Sequence, residues 1–194
     1  NNFGIAATLK ADGTIEKTVV GAVAEALPLD AQREQYFGRL KEIFEKDSLQ
    51  MATFTITEKG YSLVNGKGEL LPAVAADFEA GPEKPDSYLG KVASLLYTRY
   101  KAGRKPIAMV STDNCSHNGD KLKAAVLFYA EQWLAKGLVE SGFLAYLKDE
   151  SKVSFPWSMI DKITPRPDEE VRKMLIKDGF EDTELIITGR NTYT

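Results

Sequence analysis

Two short β-branched runs, residues 50–57 (QMATFTIT) and 107–111 (IAMVS), are separated by a helical stretch, and each runs straight into a polar loop. No other feature constrains the chain as strongly. Ser87 is placed to cap a helix that reaches about Ala102, Pro106 opens the second run where a missing N–H is tolerated, and residues 119–136 are helical again. Strand, helix, strand, helix is the pattern of a parallel βαβ layer. The predicted fold class is therefore α/β, a Rossmann-like and mostly parallel sheet with flanking helices.

The flanks fit an incomplete domain with an added β-hairpin. Residues 3–10 and 14–25 read as strands around Ala11-Asp12-Gly13, where an Asp-Gly pair tolerates positive φ. Over residues 30–46 the positions Tyr36, Phe37, Leu40, Ile43 and Phe44 recur at helical spacing, with Asp30 as the N-cap. A long polar connection then holds Asn65-Gly66-Lys67-Gly68 and Gly81-Pro82-Glu83-Lys84-Pro85, with a helical turn or two between them. Residues 138–148 read as helix, 153–155 as a short extended piece, and 168–177 as a helix behind Pro165 and Pro167. Asp168-Glu169-Glu170 put negative charge on its first turn, where the dipole favours it. The chain opens without a methionine and closes on Thr192-Tyr193-Thr194 with nothing to finish it, so both ends read as cuts.

Bulk chemistry removes several classes of function. A formal charge of -3 leaves no basic face for a phosphate backbone, so nucleic acid is not an expected partner. One cysteine, Cys115, and one histidine, His117, build neither a disulfide nor a Cys/His zinc site. Asp113, His117 and Asp120 alone, in one short loop with no fourth ligand, are a poor metal set, and no metal is expected. The start lacks an export signal, no apolar stretch has membrane-spanning length, and cytoplasm is the expected compartment.

In an open parallel sheet, ligands bind outside the carboxyl ends of the strands, where loops converge. Two loops qualify, residues 57–61 (TEKGY) and 111–120 (STDNCSHNGD), and a right-handed crossover would put both on one edge. The second is dense in short hydrogen-bonding side chains. Local chemistry accounts for some of them, with Asp113 in an Asx turn and Asn118 as the cap of the next helix; a ligand accounts for the rest, and both readings stand. Gly60 with Gly66-Lys67 has the wrong spacing for a phosphate-binding Walker loop and reads as a turn, and Cys115 and His117 are too tightly tied for a thiolate–imidazole pair.

Residues 54–63 (FTITEKGYSL), 109–126 (MVSTDNCSHNGDKLKAAV) and 153–165 (VSFPWSMIDKITP) resemble three signature segments of the long-chain mannitol dehydrogenase family, which includes mannitol 2-dehydrogenase, fructuronate reductase and tagaturonate reductase. The resemblance implies a metal-independent, NAD- or NADP-dependent interconversion of a polyol and a ketose, with an N-terminal Rossmann-like domain and a helical C-terminal domain. It implies that Asn114 helps form the oxyanion hole, where a neutral amide donates to growing negative charge without forming a salt. It implies that Ile160 and Asp161 lie at the substrate hydroxyls. Thr57, Glu58, Lys59 and Gly60 would line the cofactor, with Ser111 and Asp113 on the same side.

The sequence also departs from that family. Trp157 stands where Asn is common, and Cys115-Ser116 where Leu or Met and Pro are usual. No G-x-G-x-x-G loop and no K-x-x-x-x-N-x-x-H motif occur. The expectation is therefore part of an N-terminal domain spanning residues 1–194, from a parent whose missing C-terminal domain brings the catalytic Lys. Alone it would bind NAD or NADP weakly or not at all and would be inactive. Polyols, ketoses and sugar acids are the expected substrates. The competing readings are a non-catalytic sugar-binding or interaction domain, and an unrelated α/β domain whose polar loops are only turns.

Overall fold

The computed structural model describes residues 4–9, 13–160 and 169–179. They fall into two compact units, Leu27–Ile160 and a smaller one drawn from the segments on either side.

In the larger unit, β3 (Met51–Phe54), β4 (Ile107–Ser111) and β5 (Val153–Ser154) form a parallel sheet in the order β3-β4-β5. The register sets Met51 against Ala108 and Phe54 against Ser111. Parallel pairing alone puts all three carboxyl ends on one edge. On β4 the residues Ile107, Met109 and Ser111 are buried while Ala108 and Val110 are half-buried, so one face is sealed and the other partly open.

Helices α1 (Glu34–Phe44), α2 (Pro72–Ala80), α3 (Tyr88–Lys101), α4 (Asn118–Ala135) and α5 (Ser141–Lys148) complete the unit. The core runs through Phe37, Leu96, Met109, Trp133, Phe143 and Val153, each nearly or fully excluded from water. Ser87 caps α3 as expected, its Oγ accepting the Gly90 amide at 3.1 Å. Buried Asp77 ties three helices together. Its carboxylate accepts the amides of Asp86 and Ser87 and the Ser87 hydroxyl ahead of α3, while its carbonyl accepts Trp133 Nε1 of α4 at 2.8 Å.

Arg99 is fully buried, and among the described residues no acidic side chain forms an ion pair with its guanidinium. All five of its N–H groups go to carbonyls: Nε to Lys105, Nη1 to Phe44 and Lys46, and Nη2 to Leu49 and Pro106. Burial pulls its pKa down, but a guanidinium starts so high that it stays charged. The cation thereby joins the end of α1 to the entries of β3 and β4.

Two expected features take a different form. The helix expected from Asp30 starts at Glu34 behind Arg33, and the Asp30 carboxylate accepts the Gln32 amide in a preceding turn. The strand expected over residues 50–57 ends at Phe54, because the Asp113 carboxylate takes the amides of Ile56 and Thr57 that would otherwise continue the ladder. The polar connection holds a 3-10 turn, Glu58–Tyr61, and α2. Its Asn65-Gly66-Lys67-Gly68 stretch is a turn, with Asn65 Oδ1 accepting the amides of Lys67 and Glu69.

The smaller unit holds the expected hairpin, β1 (Gly4–Leu9) antiparallel to β2 (Ile15–Val20), with Gly13 at φ 84°, and a helix α6 (Glu169–Lys177). Ala11, Asp12, Asp161, Pro165, Pro167 and Asp168 lie outside the described residues. Among the described residues no helix is long and apolar enough to cross a membrane.

Arg99→Met should lower stability by about 3 kcal/mol or more, since it strands five carbonyls in the interior. Arg99→Lys should recover little of that, because an ammonium cannot reproduce the planar fork. Urea denaturation of the three proteins measures both.

Candidate active site

Three loops meet at the carboxyl edge of the sheet, residues 55–61 after β3, 112–117 after β4 and 155–160 after β5. Asp113 joins the first two. Its Oδ2 accepts the Ile56 amide at 2.9 Å and the Tyr61 hydroxyl at 2.6 Å, and its Oδ1 accepts the Thr57 amide at 2.8 Å. Tyr61 in turn receives the Ser111 hydroxyl at 2.6 Å. Burial, helped by the Asp113 carboxylate, drives the Tyr61 pKa far upward, which keeps the phenol protonated and donating.

Asn118 joins the second loop to the third. Its Nδ2 donates to the Ser158 carbonyl and hydroxyl, both at 2.9 Å, and to the Asp113 carbonyl at 3.1 Å. Its Oδ1 accepts the amides of Gly119 at 2.8 Å and Ser158 at 3.1 Å. The Ser158 hydroxyl closes the circuit onto the Ser111 carbonyl. Gly119 is required beside it: a Cβ there would lie 2.5 Å from the Phe155 carbonyl oxygen and 2.7 Å from that of Pro156.

Asp113 therefore makes no Asx turn with its carboxylate, and Asn118 is not the helix cap. His117 occupies the cap position in the left-handed conformation, φ 55°. Its ring stacks on exposed Trp157 at 4.3 Å, and its Nδ1 lies 3.5 Å from Asp120.

The other expected site residues divide clearly. Asn114 is exposed, and among the described residues no hydrogen bond engages its side chain. Ser111 and Asp113 are buried within the network, so their side chains face the fold. Thr57 and Lys59 are exposed on the first loop. Glu58 is exposed too and pairs with Lys121 at 2.6 Å, a contact that holds its carboxyl below the usual range. Gly60 is explained by packing, because a Cβ there would sit 2.9 Å from Ile56. Ile160 is half-buried at the end of the third loop, and Asp161 lies outside the described residues. A groove of about 510 Å³ opens beside the first loop, lined by Glu58, Tyr61, Leu63, Lys121 and Phe128.

Sequence reasoning missed Tyr61, Ser158 and the inward roles of Asn118 and Gly119. The adjacent Asn and Gly at the start of α4 were the available signal, since an amide that bonds across a gap and a residue without a side chain together mark a close backbone approach.

A parallel sheet with flanking helices and a loop-built carboxyl edge defines an α/β domain of the Rossmann type. Residues 9–184 match the mannitol dehydrogenase Rossmann domain, and the chain belongs to that family. It is 48% identical to D-mannonate oxidoreductase of Thermotoga maritima over 193 residues, covering 100% of this chain and 35% of that protein. It is 32% identical to polyol:NADP oxidoreductase of Gluconobacter oxydans, covering 89% of this chain and 34% of the other. Among solved structures, Pseudomonas fluorescens mannitol 2-dehydrogenase in ternary complex with NAD and D-mannitol superimposes with a TM-score of 0.74 at 26% identity, over 96% of this chain and 36% of that one. The chain spans about a third of the length of these relatives.

Gly119→Ala should destabilise by about 1–3 kcal/mol, as overpacking against rigid backbone does. It should also shift Trp157 fluorescence as the third loop is pushed off α4. An unchanged melting curve and emission spectrum would contradict the packing argument.

Proposed function

We propose that these residues supply the oxyanion side of an NAD- or NADP-dependent polyol or sugar-acid dehydrogenase. The observation that carries this reading is the exposed, unengaged amide of Asn114 on a sheet edge whose neighbouring polar side chains are turned inward. In that role Asn114 donates a hydrogen bond to the substrate oxygen, and the bond strengthens as that oxygen gains negative charge. Ile160 and Asp161 hold the substrate's other hydroxyls. The substrate class is a polyol, ketose or sugar acid, in keeping with relatives named for mannonate and for polyols.

The exposed groups at this edge, the Thr57 hydroxyl, the Lys59 ammonium and the backbone beside Gly60, fit the ribose and nicotinamide half of a dinucleotide. The 194 residues contain no glycine fingerprint for the pyrophosphate. When bound, the nicotinamide exchanges a hydride with the substrate carbon. Glu58, Ser111 and Asp113 support this half of the site through the contacts that fix the loops.

We further propose that residues 1–194 belong to the N-terminal domain of a longer cytoplasmic enzyme, whose helical C-terminal domain brings the Lys that takes the proton. These residues contain an oxyanion donor and no matching base motif, so alone they should bind cofactor weakly and turn over nothing. A sugar-binding role without chemistry is favoured by one feature, the largely exposed Trp157 ring, whose one face stacks on His117, since an open indole face is of the kind that packs against sugar rings.

The deciding experiment is Asn114→Ala in the full-length protein, assayed on D-mannonate, D-mannitol and their ketoses with NAD and NADP. Dehydrogenase action predicts a fall in kcat of about 10²- to 10³-fold with an unchanged melting temperature. A full-length protein that binds sugars and turns over none of them favours the second role.

A further inference from the structure

We infer that Asp113 is a positioning residue, whose buried carboxylate holds the loop after β3 in a conformation that the loop's own sequence resists. It thereby sets the cofactor-side loop and the Asn114 amide in one frame. The inference rests on the dehydrogenase reading of this edge.

Thr57 has φ 63° and ψ 161°, a region that glycine enters freely and that a β-branched residue enters only under strain, because its Cβ substituents crowd the backbone. The amides of Ile56 and Thr57 on its N-terminal side and the Tyr61 hydroxyl beyond it all donate to the Asp113 carboxylate, so the strained residue lies inside the segment that this carboxylate closes. Asp113 is 7% exposed, and among the described residues no Lys or Arg forms an ion pair with it. Its charge is met by those two amides and the Tyr61 hydroxyl, all neutral donors. Because the anion binds donors on both sides of the Thr57 Cα, holding them together holds the strained residue in its turn. Asn114 follows Asp113 in the chain, so the clamp that sets the first loop also fixes the backbone from which the free amide projects.

A carboxylate that merely tied the fold together would be indifferent to the residue at position 57. A clamp is not indifferent, because Thr57→Gly removes the strain that it opposes. In the full-length protein, Asp113→Asn should lower kcat/KM for the polyol or sugar acid about a hundredfold, as displacement of catalytic groups does. It should also speed hydrogen exchange at the Ile56 and Thr57 amides. Adding Thr57→Gly should restore protection of the loop, a readout independent of any contact that the Thr57 hydroxyl makes with cofactor. An Asp113→Asn protein with unchanged exchange, or a double variant whose loop exchanges as fast as that of the single one, overturns the inference. Should Asp113→Asn fail to fold, Thr57→Gly alone decides: the clamp predicts a melting temperature at or above that of the wild type, and a fall as large as that caused by Thr53→Gly in the β3 ladder overturns it. If the wild-type protein turns over no polyol or sugar acid, the dehydrogenase reading fails, and the exchange measurements still decide the clamp.

Discussion

A buried guanidinium that donates all its N–H groups to backbone carbonyls governs the amino edge of the sheet. Arg99 gathers carbonyls from the end of α1, from the residue before β3 that leads into Gln50, and from the two residues before β4. Holding both strand entries on one rigid fork helps set how far β3 lies along β4, with Phe54 opposite Ser111. β3 and β4 end level, and the loops that follow them meet at the carboxyl edge. A cation at one edge of the sheet therefore conditions the site at the other.

The carboxyl edge answers with an anion treated in the same way. Asp113, like Arg99, has its charge met by neutral groups, mostly backbone, and each ties segments far apart in the chain. Buried charges of this kind are weak sources of net stability, because their desolvation offsets much of what the hydrogen bonds return. What they supply is discrimination: a strand slipped by one residue would leave the cation or the anion facing groups of the wrong kind, at several kcal/mol by the usual cost of an uncompensated buried charge, about 3–5 kcal/mol. The apolar core alone would tolerate such a slip more readily, since β3 presents only one fully buried residue, Phe54.

Helices α3 and α4 and strand β4 were legible in the sequence, α4 from its period and the other two also from a local signal, the Ser87 cap and Pro106. Asp30, Asp113 and Asn118 were read as local caps or turns; Asp30 makes a local turn ahead of the helix it was expected to cap, and the other two reach across the fold. Short polar side chains carry strong local preferences, so local rules assign them local partners. The partners of Asp113 lie 56 and 57 residues away, and Asn118 reaches Ser158 across 40. Nothing in the neighbouring sequence reports contacts at that range. Asn114 and Ile160 became candidates through family resemblance, because their own chemistry separates them from no other loop residue.

Once long-range partners are assigned, the loop after β4 can be sorted by what the fold leaves over. The Ser111 hydroxyl goes to Tyr61, the Thr112 hydroxyl to the Phe54 carbonyl, Asp113 to the first loop and Asn118 to the third. His117 lies against Trp157. Asn114 and Ser116 remain exposed without a hydrogen bond among the described residues. Of these two, only the amide offers two donors on one planar group, and its orientation is inherited from a backbone pinned on both sides by buried contacts. Stabilising a developing negative charge needs a donor already in place and not engaged elsewhere, since reorganisation during the reaction would cancel the benefit. The density of hydrogen-bonding residues in this loop thus has two parts: most of them build the edge, and the exposed Asn114 amide is the group to which the proposed oxyanion role falls.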